Sequence, residues 1–379
     1  MTARLGDVAL IQRQSVNPNK IDPNTIYLGL EHLARGGRII GHETVGSAAL
    51  SSSKFTFSAK HVLYGKLRPN LGKISRPTFS GVCSTDILPV LPGPHLDRDY
   101  LAHYLSQPVM VEFASSRAAG ANLPRLSPSV LNEFEIPVPR LEEQRRIAAI
   151  LDHAETLRTK RRRLLASLDS LAPRRFDEVF ADRAGHRVPM GRLIDEQQIG
   201  LDRRSSEQGA DRSHGYIKMD AITRDGHMDL ARLTYVNASV DEVSKYTVHN
   251  GDLLLNTRNS RELVGKSAIF HGLPCLYNNN ISRIRFTEQV DSRYIHAFLW
   301  SREGRRQLES RKSGTTNVVA MYAKDFATIS VPVPDLEEQQ AFSAMVAAVD
   351  IRRIQVRRSL QLDDSLFASL QARAFRGEL

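Results

Sequence analysis

The sequence predicts an α/β (α+β) protein with two globular domains in tandem, each followed by a long α-helix. Three observations favour this fold class: a repeated motif, an apolar repeat after each copy, and a length of 379 residues. The motif has two prolines in a short apolar run, followed by Leu-Glu-Glu-Gln, at Ile136–Gln144 and again at Val331–Gln339. A chain of this length suits two or three domains rather than one core. The repetition therefore indicates a duplicated fold.

Each copy of the motif is followed by apolar residues at alternating intervals of three and four. This heptad spacing is typical of a helix that packs along another helix. The residues predicted to form the helix or partner interface are Ile147, Leu151, Leu157, Leu164, Leu168, Phe342, Val349, Val356, Leu360, Phe367 and Leu370. We expect the two helices to form an antiparallel coiled coil with pseudo-twofold symmetry. We also expect the first helix to break at Pro173, because proline has no backbone N–H.

The motif copies predict four segments. They are a first domain at 1–140, a central helical region at 141–182, a second domain at 183–335 that follows a linker around Gly185, and a C-terminal helical region at 336–379. Landmarks of the first domain return in the second: Tyr27–Leu30 parallels Tyr216–Met219, and Leu71–Lys73 parallels Val264–Lys266. Apolar runs predict strands, and two further segments predict helices. The predicted strands are residues 5–8, 26–30, 39–40, 55–57, 62–68 and 87–91, and the predicted helices are 99–105 and 294–299.

The composition indicates a soluble globular protein that faces a polyanion. The net charge is +10, and most of the excess lies in the two non-helical segments, which favours a polyanionic partner. Charge that merely aids solubility is the alternative interpretation. No apolar run is long enough to span a membrane, and we find no signal peptide. Cys83 and Cys275 are too few for a disulfide framework and suit buried thiols in a reducing cytosol.

Motifs for catalysis or cofactor binding are missing. Ser260–Ser267 resembles a phosphate-binding P-loop, but serine stands where the first glycine belongs, so nucleotide binding is not expected. The histidines are scattered singly, and no nucleophile is paired with a base. We therefore predict neither a catalytic residue nor a metal site.

Basic and amide side chains in loop-like segments are the candidates for contacts with DNA. Lysine and arginine grip phosphates, and arginine and asparagine also read base edges. The candidates are Lys66, Arg68, Lys73, Asn256, Arg258, Arg261, Lys266, Asn279 and Arg283. The basic block Arg158–Arg163 lies on the first helix, where salt bridges with a partner and contacts with DNA phosphates are equally plausible.

The doubled motif, the ending Ala374–Leu379 and the segment Lys66–Pro69 together resemble the specificity (S) subunits of type I restriction–modification systems. The resemblance covers essentially the whole chain. It implies that residues 1–140 and 183–335 are target-recognition domains, each reading one half of an interrupted site in double-stranded DNA, while the helices set the spacing.

The resemblance also implies a set of partners in a prokaryotic cytoplasm. Two copies of an adenine methyltransferase (modification) subunit would carry S-adenosylmethionine. A restriction or motor subunit, if present, would use ATP and Mg. The S subunit itself would be non-catalytic and hold no cofactor. Two alternatives remain: a coiled-coil assembly adaptor whose domains bind proteins, and a nucleotide-dependent enzyme with a degenerate P-loop. A steep fall of DNA affinity as the salt concentration rises distinguishes a DNA-binding specificity subunit from a protein-binding adaptor.

Overall fold

The computed structural model describes residues 2–181, 187–314 and 318–379. The chain forms two compact units: unit 1 comprises residues 1–160 and 360–379, and unit 2 comprises residues 161–359. Each unit therefore contains one α/β domain together with parts of both long helices. The predicted boundary at residue 182 and the predicted linker at Gly185 lie outside the described residues.

Unit 1 contains short strands and helices before the first long helix. Its strands are β1 (Thr2–Arg4), β2 (Ala9–Ile11), β3 (Ser15–Val16), β4 (Ile26–Leu28), β5 (Glu43–Thr44), β6 (Lys54–Phe57), β7 (Val62–Gly65), β8 (Ile74–Ser75), β9 (Gly81–Cys83), β10 (Ile87–Pro92) and β11 (Glu135–Pro137). Its helices are α1 (Leu5–Val8), α2 (Arg98–Leu105), α3 (Pro108–Ser116), α4 (Pro128–Asn132) and the start of α5 (Leu141–Phe180).

Unit 2 repeats this arrangement. Its strands are β12 (Arg187–Pro189), β13 (Ile194–Ile199), β14 (His214–Ile217), β15 (Thr234–Val236), β16 (Leu253–Asn256), β17 (Arg258–Asn259), β18 (Ser267–Ile269), β19 (Leu276–Tyr277), β20 (Ile281–Phe286), β21 (Ser313–Gly314), β22 (Val319–Ala320) and β23 (Ser330–Pro332). Its helices are α6 (Val240–Tyr246), α7 (Ser292–Trp300), α8 (Arg302–Ser310), α9 (Ala323–Phe326) and the larger part of α10 (Leu336–Arg376).

The two units share a sheet topology. Unit 1 has an antiparallel sheet in the order β2-β10-β7-β8, and unit 2 has one in the order β13-β20-β16-β18. A second sheet contains the only parallel pair described in each unit, β4 with β9 in unit 1 and β14 with β19 in unit 2. Strand β1 pairs with β11, just as β12 pairs with β23. The duplication predicted from the sequence is thus confirmed at the level of strand order.

Most of the local predictions are confirmed, and two strand predictions are wrong. Strands cover Phe55–Phe57 and residues 87–91, and helices cover residues 99–105 and 294–299. The predicted strands at 26–30 and 62–68 begin as predicted but end earlier, at Leu28 and Gly65. Leu5–Val8, however, is the single-turn helix α1, with Leu5 fully buried. Residues 39–40 form no strand, and only an isolated bridge joins Ile39 to Leu33. Such short apolar runs fit a helical turn as well as a strand, because periodicity needs a longer window.

The prediction that the first helix breaks at Pro173 is wrong. Helix α5 continues through Pro173 to Phe180. A proline inside a helix removes one backbone hydrogen bond and costs roughly 3 kcal/mol. The last turns of α5 offset this cost by burying Phe176 and Phe180 against Tyr294 and Phe342, with ring centroids 5.0–6.0 Å apart. Tertiary packing therefore keeps the helix intact.

The long helices pair antiparallel within each unit. In unit 1, Arg158 on α5 donates to Asp364 on α10 at 2.7 Å, and Arg146, earlier on α5, donates to the carbonyl of Leu379 at 3.1 Å. In unit 2, Phe176 near the end of α5 packs on Phe342 near the start of α10. As the residue number rises along α5 it falls along α10, which confirms the predicted orientation.

The predicted helical seam divides into two kinds of contact. Ile147 and Leu151 are buried in the α/β core of unit 1, and Phe342 in the α/β core of unit 2. Val356 is buried as well, whereas Leu157 and Leu164 are 39% and 41% exposed. Leu168, Val349, Leu360, Phe367 and Leu370 are half-buried. Part of the heptad pattern therefore attaches a domain to its helix. Among the described residues, no helix is both long and apolar enough to cross a bilayer.

Candidate nucleic-acid interface

The glutamine of each Leu-Glu-Glu-Gln motif joins the domain of its unit to the long helix that begins there, through buried hydrogen bonds. In unit 1 the Gln144 side chain is fully buried, donates to the carbonyls of His95 (2.9 Å) and Pro139 (2.8 Å), and accepts from Asp97 N–H at 2.8 Å. Asp97 in turn caps α2 by accepting from Asp99 N–H and Tyr100 N–H. The motif thus places the start of α5 against the start of α2.

Unit 2 repeats this attachment. Gln339, also fully buried, donates to the carbonyls of Gln289 (3.2 Å) and Pro334 (2.9 Å) and accepts from Asp291 N–H at 3.1 Å. The motif prolines take part as well. The Tyr100 hydroxyl donates to the carbonyl of Pro137, and the Tyr294 hydroxyl donates to that of Pro332, both at 2.8 Å. The motif is therefore a structural element that attaches each domain to its long helix.

A basic cleft of about 840 Å³ lies among the loops of unit 2. It is lined by six basic and two acidic side chains together with a run of asparagines. The charged lining residues are Arg203, Arg204, Lys218, Arg224, Arg232 and Lys266, with Asp202 and Asp220. Because cations outnumber carboxylates, the cleft favours a polyanion.

Ion pairs hold some of these cations, and others have no ionic partner. Arg203 donates to both oxygens of Glu242 at 2.8 Å, and Arg232 donates to Asp229 at 2.9 Å. Within the described residues, Arg204, Lys218 and Lys266 have neither an ion pair nor a side-chain hydrogen bond. Those three side chains are the ones available to a ligand.

Two residues predicted from the sequence, Lys266 and Asn279, line the cleft. Lys266 is 7% exposed, and burial lowers the pKa of its ammonium. The neighbouring Asn278 and Asn280 hydrogen-bond to each other, whereas Asn279 has no side-chain partner among the described residues. The amide of Asn279 is thus free to pair with a base edge.

Four other predicted residues of unit 2 lie elsewhere. Arg258 is exposed on β17, and Arg261 is exposed and ion-paired with Glu309. Asn256 is buried. Arg283 is also buried, where it donates to Glu196 and to the carbonyl of Thr247. Its guanidinium therefore joins strand β20 to its neighbours and does not lie at the surface of this structure.

Sequence reasoning missed five of the six basic lining residues: Arg203, Arg204, Lys218, Arg224 and Arg232. These residues come from loops far apart in the sequence, so no local pattern groups them. The one available signal was Lys218, a basic residue that directly follows the short strand β14 (His214–Ile217).

In unit 1 the three predicted residues differ in their partners. Lys66 lies 3.8 Å from Asp86, which Arg125 also pairs with at 3.1 Å. The Lys73 ammonium donates to the carbonyl of Leu30 at 2.7 Å. Arg68 is exposed and has no side-chain partner among the described residues.

Arg68 also adopts a left-handed backbone conformation, with φ 51° and ψ 63°. A non-glycine residue in this region costs of order 1–3 kcal/mol, and such strain clusters at functional sites. Backbone hydrogen bonds hold the conformation: Arg68 N–H donates to the carbonyl of Pro124 at 2.8 Å, and Leu71 N–H donates to that of Arg68 at 3.0 Å. The loop therefore presents the Arg68 guanidinium to solvent from a fixed backbone.

The basic block on α5 is partly used in ion pairs. Arg158 pairs with Glu155 and Asp364, and its guanidinium stacks on Phe367 at 4.3 Å from the ring centroid. Salt bridging is thus shown for Arg158. Lys160 and Arg163 are exposed.

A second charged group ties α5 to the domain of unit 1. Asp152 accepts from Arg76 at 2.6 Å and from His103 at 2.8 Å. Burial alone would raise the pKa of Asp152, but the hydrogen bonds from His103 and Arg76 outweigh burial and hold that pKa well below its ordinary value. Asp152 therefore links α5 to the domain of unit 1 through charged hydrogen bonds.

In unit 2, ligand atoms of Asp169, Asp225 and His227 lie within 4.8 Å of one another. Arg357 lies 3.8 Å from Asp225. The buried Arg353 pairs with Asp350 at 3.4 Å and is also within the electrostatic influence of Asp169 and Asp225. Two guanidinium groups therefore already supply the positive charge that a metal ion would bring. We interpret the group as an ion-pair network.

The fold and the cleft together define a protein built by duplication, with a basic surface in unit 2 that suits a nucleic acid. The model of the type I restriction modification DNA specificity domain matches residues 1–166 and 204–361. The chain belongs to this family, and it is a DNA-recognition subunit rather than an enzyme.

Relatives match along nearly the whole chain. The type I restriction enzyme EcoKI specificity subunit of Escherichia coli K12 is 24% identical over 98% of this chain and 82% of its own length. The StySPI specificity subunit of Salmonella potsdam is 23% identical over 98% of this chain and 82% of its own length. The solved S subunit of the type I system of M. genitalium has the same fold, with a TM-score of 0.59, 14% identity and coverage of 99% and 96% of the two chains.

Proposed function

We propose that each unit reads one half of an interrupted site in double-stranded DNA, and that the paired helices fix the spacing and dock two modification subunits. The observation that carries this proposal is a duplicated scaffold with different side chains at equivalent loop positions. A shared scaffold with different loops suits two dissimilar half-sites.

The equivalent positions can be named from the backbone hydrogen bonds. In unit 1, Lys66 N–H donates to the carbonyl of Asp86 at 2.9 Å; in unit 2, Thr257 N–H donates to that of Asn280 at 2.8 Å. A Lys–Asp pair in one unit thus becomes Thr–Asn in the other. Unit 1 would engage DNA through the Arg68 loop and unit 2 through its basic cleft. These differences alter both charge and base-reading capacity at one place in the scaffold.

The helices suit the role of a spacer. Helix α5 has 40 residues and is about 60 Å long at ~1.5 Å per residue. A continuous helix with buried attachments at each end resists bending, so half-sites read at a fixed separation are expected. The gap would then depend on the length of the helices and not on the loops.

Exposed apolar side chains on the helices support partner docking. Unit 1 exposes Leu157 together with Leu362 and Leu366, and unit 2 exposes Leu164 together with Ile351 and Ile354. Each unit thus exposes apolar side chains on its helices, which fits one modification subunit per unit. Those subunits would carry S-adenosylmethionine and methylate adenine, while a restriction subunit would supply ATP and Mg chemistry. The complex would act where the cellular DNA lies, in the cytoplasm.

Methylome sequencing tests this function directly. The chain is expressed with its modification subunit in a host without other adenine methylation. We expect methylated adenine in two short sequences separated by a constant unspecified gap, and a steep fall of DNA affinity with salt. Methylation at a continuous site, or no DNA binding at low salt, would contradict the proposal.

Helix length provides the sharper arm of the test. Four residues are inserted at the exposed Arg163 of α5 and four at the exposed Arg358 of α10. The insertion adds about 6 Å along each helix, close to two base pairs of DNA at ~3.4 Å each. The gap should lengthen while both half-sites remain the same. A change in the half-sites themselves would refute the spacer role.

A further inference from the structure

Lys266 in unit 2 and Lys73 in unit 1 occupy the same position in the duplicated scaffold. Gly65 N–H donates to the carbonyl of Lys73 at 2.8 Å, and Asn256 N–H donates to that of Lys266 at 2.8 Å. Each lysine follows a glycine with positive φ, Gly72 or Gly265. The two lysines can therefore be compared as internal copies of one residue.

The ammonium groups of the two lysines have different surroundings. Lys73 donates to the carbonyl of Leu30 at 2.7 Å, which satisfies its charge within the fold. The carbonyl equivalent to that of Leu30 belongs to Met219, and it accepts instead from the side-chain amide of Asn256 at 3.2 Å. Lys266 has no hydrogen-bond or ion-pair partner among the described residues.

The residue that precedes the turn explains this difference. In unit 1 that position is Gly65, where a Cβ atom would lie 3.0 Å from the Cβ of Lys73. The absence of a side chain thus leaves room for the lysine to reach the carbonyl. In unit 2, Asn256 fills the space and takes the carbonyl, while its Oδ1 is buried without a partner. Asn256 therefore turns Lys266 away from the fold and toward the cleft.

The shape of the cleft indicates what Lys266 binds. Lys266 is 93% buried, so only a group that enters the cleft can reach its ammonium. The sugar–phosphate backbone is the convex part of a duplex, whereas base edges lie at the floor of a groove and are reached by protruding side chains. A recessed cation in a concave basic surface thus matches a phosphate better than a base. A phosphate would also restore the solvation that burial removes from the ammonium.

We propose that Lys266 binds one backbone phosphate of the DNA as a sequence-independent anchor for unit 2, and that Asn256 is the positioning residue that keeps its ammonium in the cleft. Lys73, the copy in unit 1, is structural. The inference rests on the proposed DNA recognition and refines it. It assigns phosphate binding and base recognition to different residues of one cleft. Asn279, whose amide is free, is then a candidate for base reading beside the anchor.

The experiment measures DNA affinity of the full chain in complex with its modification subunits. Fluorescence anisotropy is recorded from 0.05 to 0.3 M salt with two duplexes. One contains the target sequence found by methylome sequencing, and the other is mutated in the half-site read by unit 2. The variants are Lys266→Ala, Lys266→Arg and Asn256→Gly, with Lys324→Ala as the matched control. Lys324 is an exposed lysine on α9 that does not line the cleft.

Loss of one phosphate contact lowers the salt slope by about 0.9, equivalent to roughly eightfold in affinity at 0.1 M salt. We expect this loss for Lys266→Ala, equal on both duplexes, with Lys266→Arg near wild type. Asn256→Gly should lose as much, because it lets Lys266 reach the carbonyl of Met219, as Lys73 reaches that of Leu30. Lys324→Ala should change little.

Three outcomes would overturn the inference. They are wild-type affinity of Lys266→Ala, a loss limited to the target duplex, or a wild-type salt slope in Asn256→Gly with the fold intact by circular dichroism. A wild-type complex that fails to bind either duplex would instead refute the proposed function.

Discussion

Replacing Gln339 with leucine tests whether the repeated motif mounts the domain of unit 2 on its helix. Gln339 is fully buried and makes three hydrogen bonds, all to backbone atoms. Leucine has a similar volume, so the substitution removes those bonds without leaving a large cavity. Asp291 N–H and the carbonyls of Gln289 and Pro334 then remain buried without this partner.

Each buried hydrogen bond contributes about 0.5–1.5 kcal/mol. The loss of three therefore predicts a fall of about 2–4 kcal/mol in the free energy of unfolding of unit 2. With a urea dependence of roughly 2–3 kcal/mol per molar, the unfolding midpoint should move down by about 1–2 M.

The chain offers a selective probe and a matched control for this experiment. Trp300 is the only tryptophan in the sequence and lies in α7 of unit 2, so its fluorescence follows the unfolding of that unit. Gln340 is the next residue on α10 and is exposed, so Gln340→Leu changes the composition equally while touching no buried bond. Equal midpoints for Gln339→Leu and Gln340→Leu would refute the mounting role.

Three further predictions concern the exposed helix surface, the strained loop at Arg68, and Asp152, which links α5 to the domain of unit 1. Leu157→Glu with Leu164→Glu should leave the free energy of unfolding within about 0.5 kcal/mol of wild type, because both side chains are substantially exposed. The double variant should nevertheless abolish co-purification with the modification subunit, and an intact complex would contradict docking there. Arg68→Ala should weaken target methylation without altering the circular dichroism spectrum, and unchanged methylation would remove Arg68 from the interface. Asp152→Asn should destabilise unit 1 at pH 7. Because the folded pKa of Asp152 is depressed below its ordinary 3.8, the ionised form stabilises above that pH and this contribution is lost as the pH falls. The gap between wild type and Asp152→Asn in urea unfolding should therefore narrow below about pH 4, and a constant gap would refute the electrostatic role.

The sequence predicts the long-range features of this fold better than its short ones. Duplication and the two long helices follow from patterns that extend over many residues, where chance matches are rare. Leu5–Val8 is only four residues long, and its helical turn is decided by packing that no local pattern contains. Pro173 shows the same limit, since the aromatic contacts of Phe176 and Phe180 override a strong local signal.

The candidate interface is harder to predict from sequence for a related reason. Arg283 and Lys266 both look like basic residues near strands, yet one is neutralised by Glu196 inside the sheet and the other faces a cleft. The distinction depends on partners that are distant in the sequence. Lys73 and Lys266 even share a scaffold position, and a single neighbouring residue decides between a structural and a ligand-facing ammonium.

The glutamine mounts also bear on how recognition can change over time. In both, the glutamine side chain bonds to main-chain carbonyls and to one main-chain N–H, groups that every amino acid except proline supplies. Loops of unit 1 or unit 2 can therefore accumulate substitutions without weakening the attachment of the domain to its helix. A whole domain with the same main-chain partners for the glutamine would fit the same long helix. Its exchange would give a new DNA target in one step and leave the two long helices unchanged.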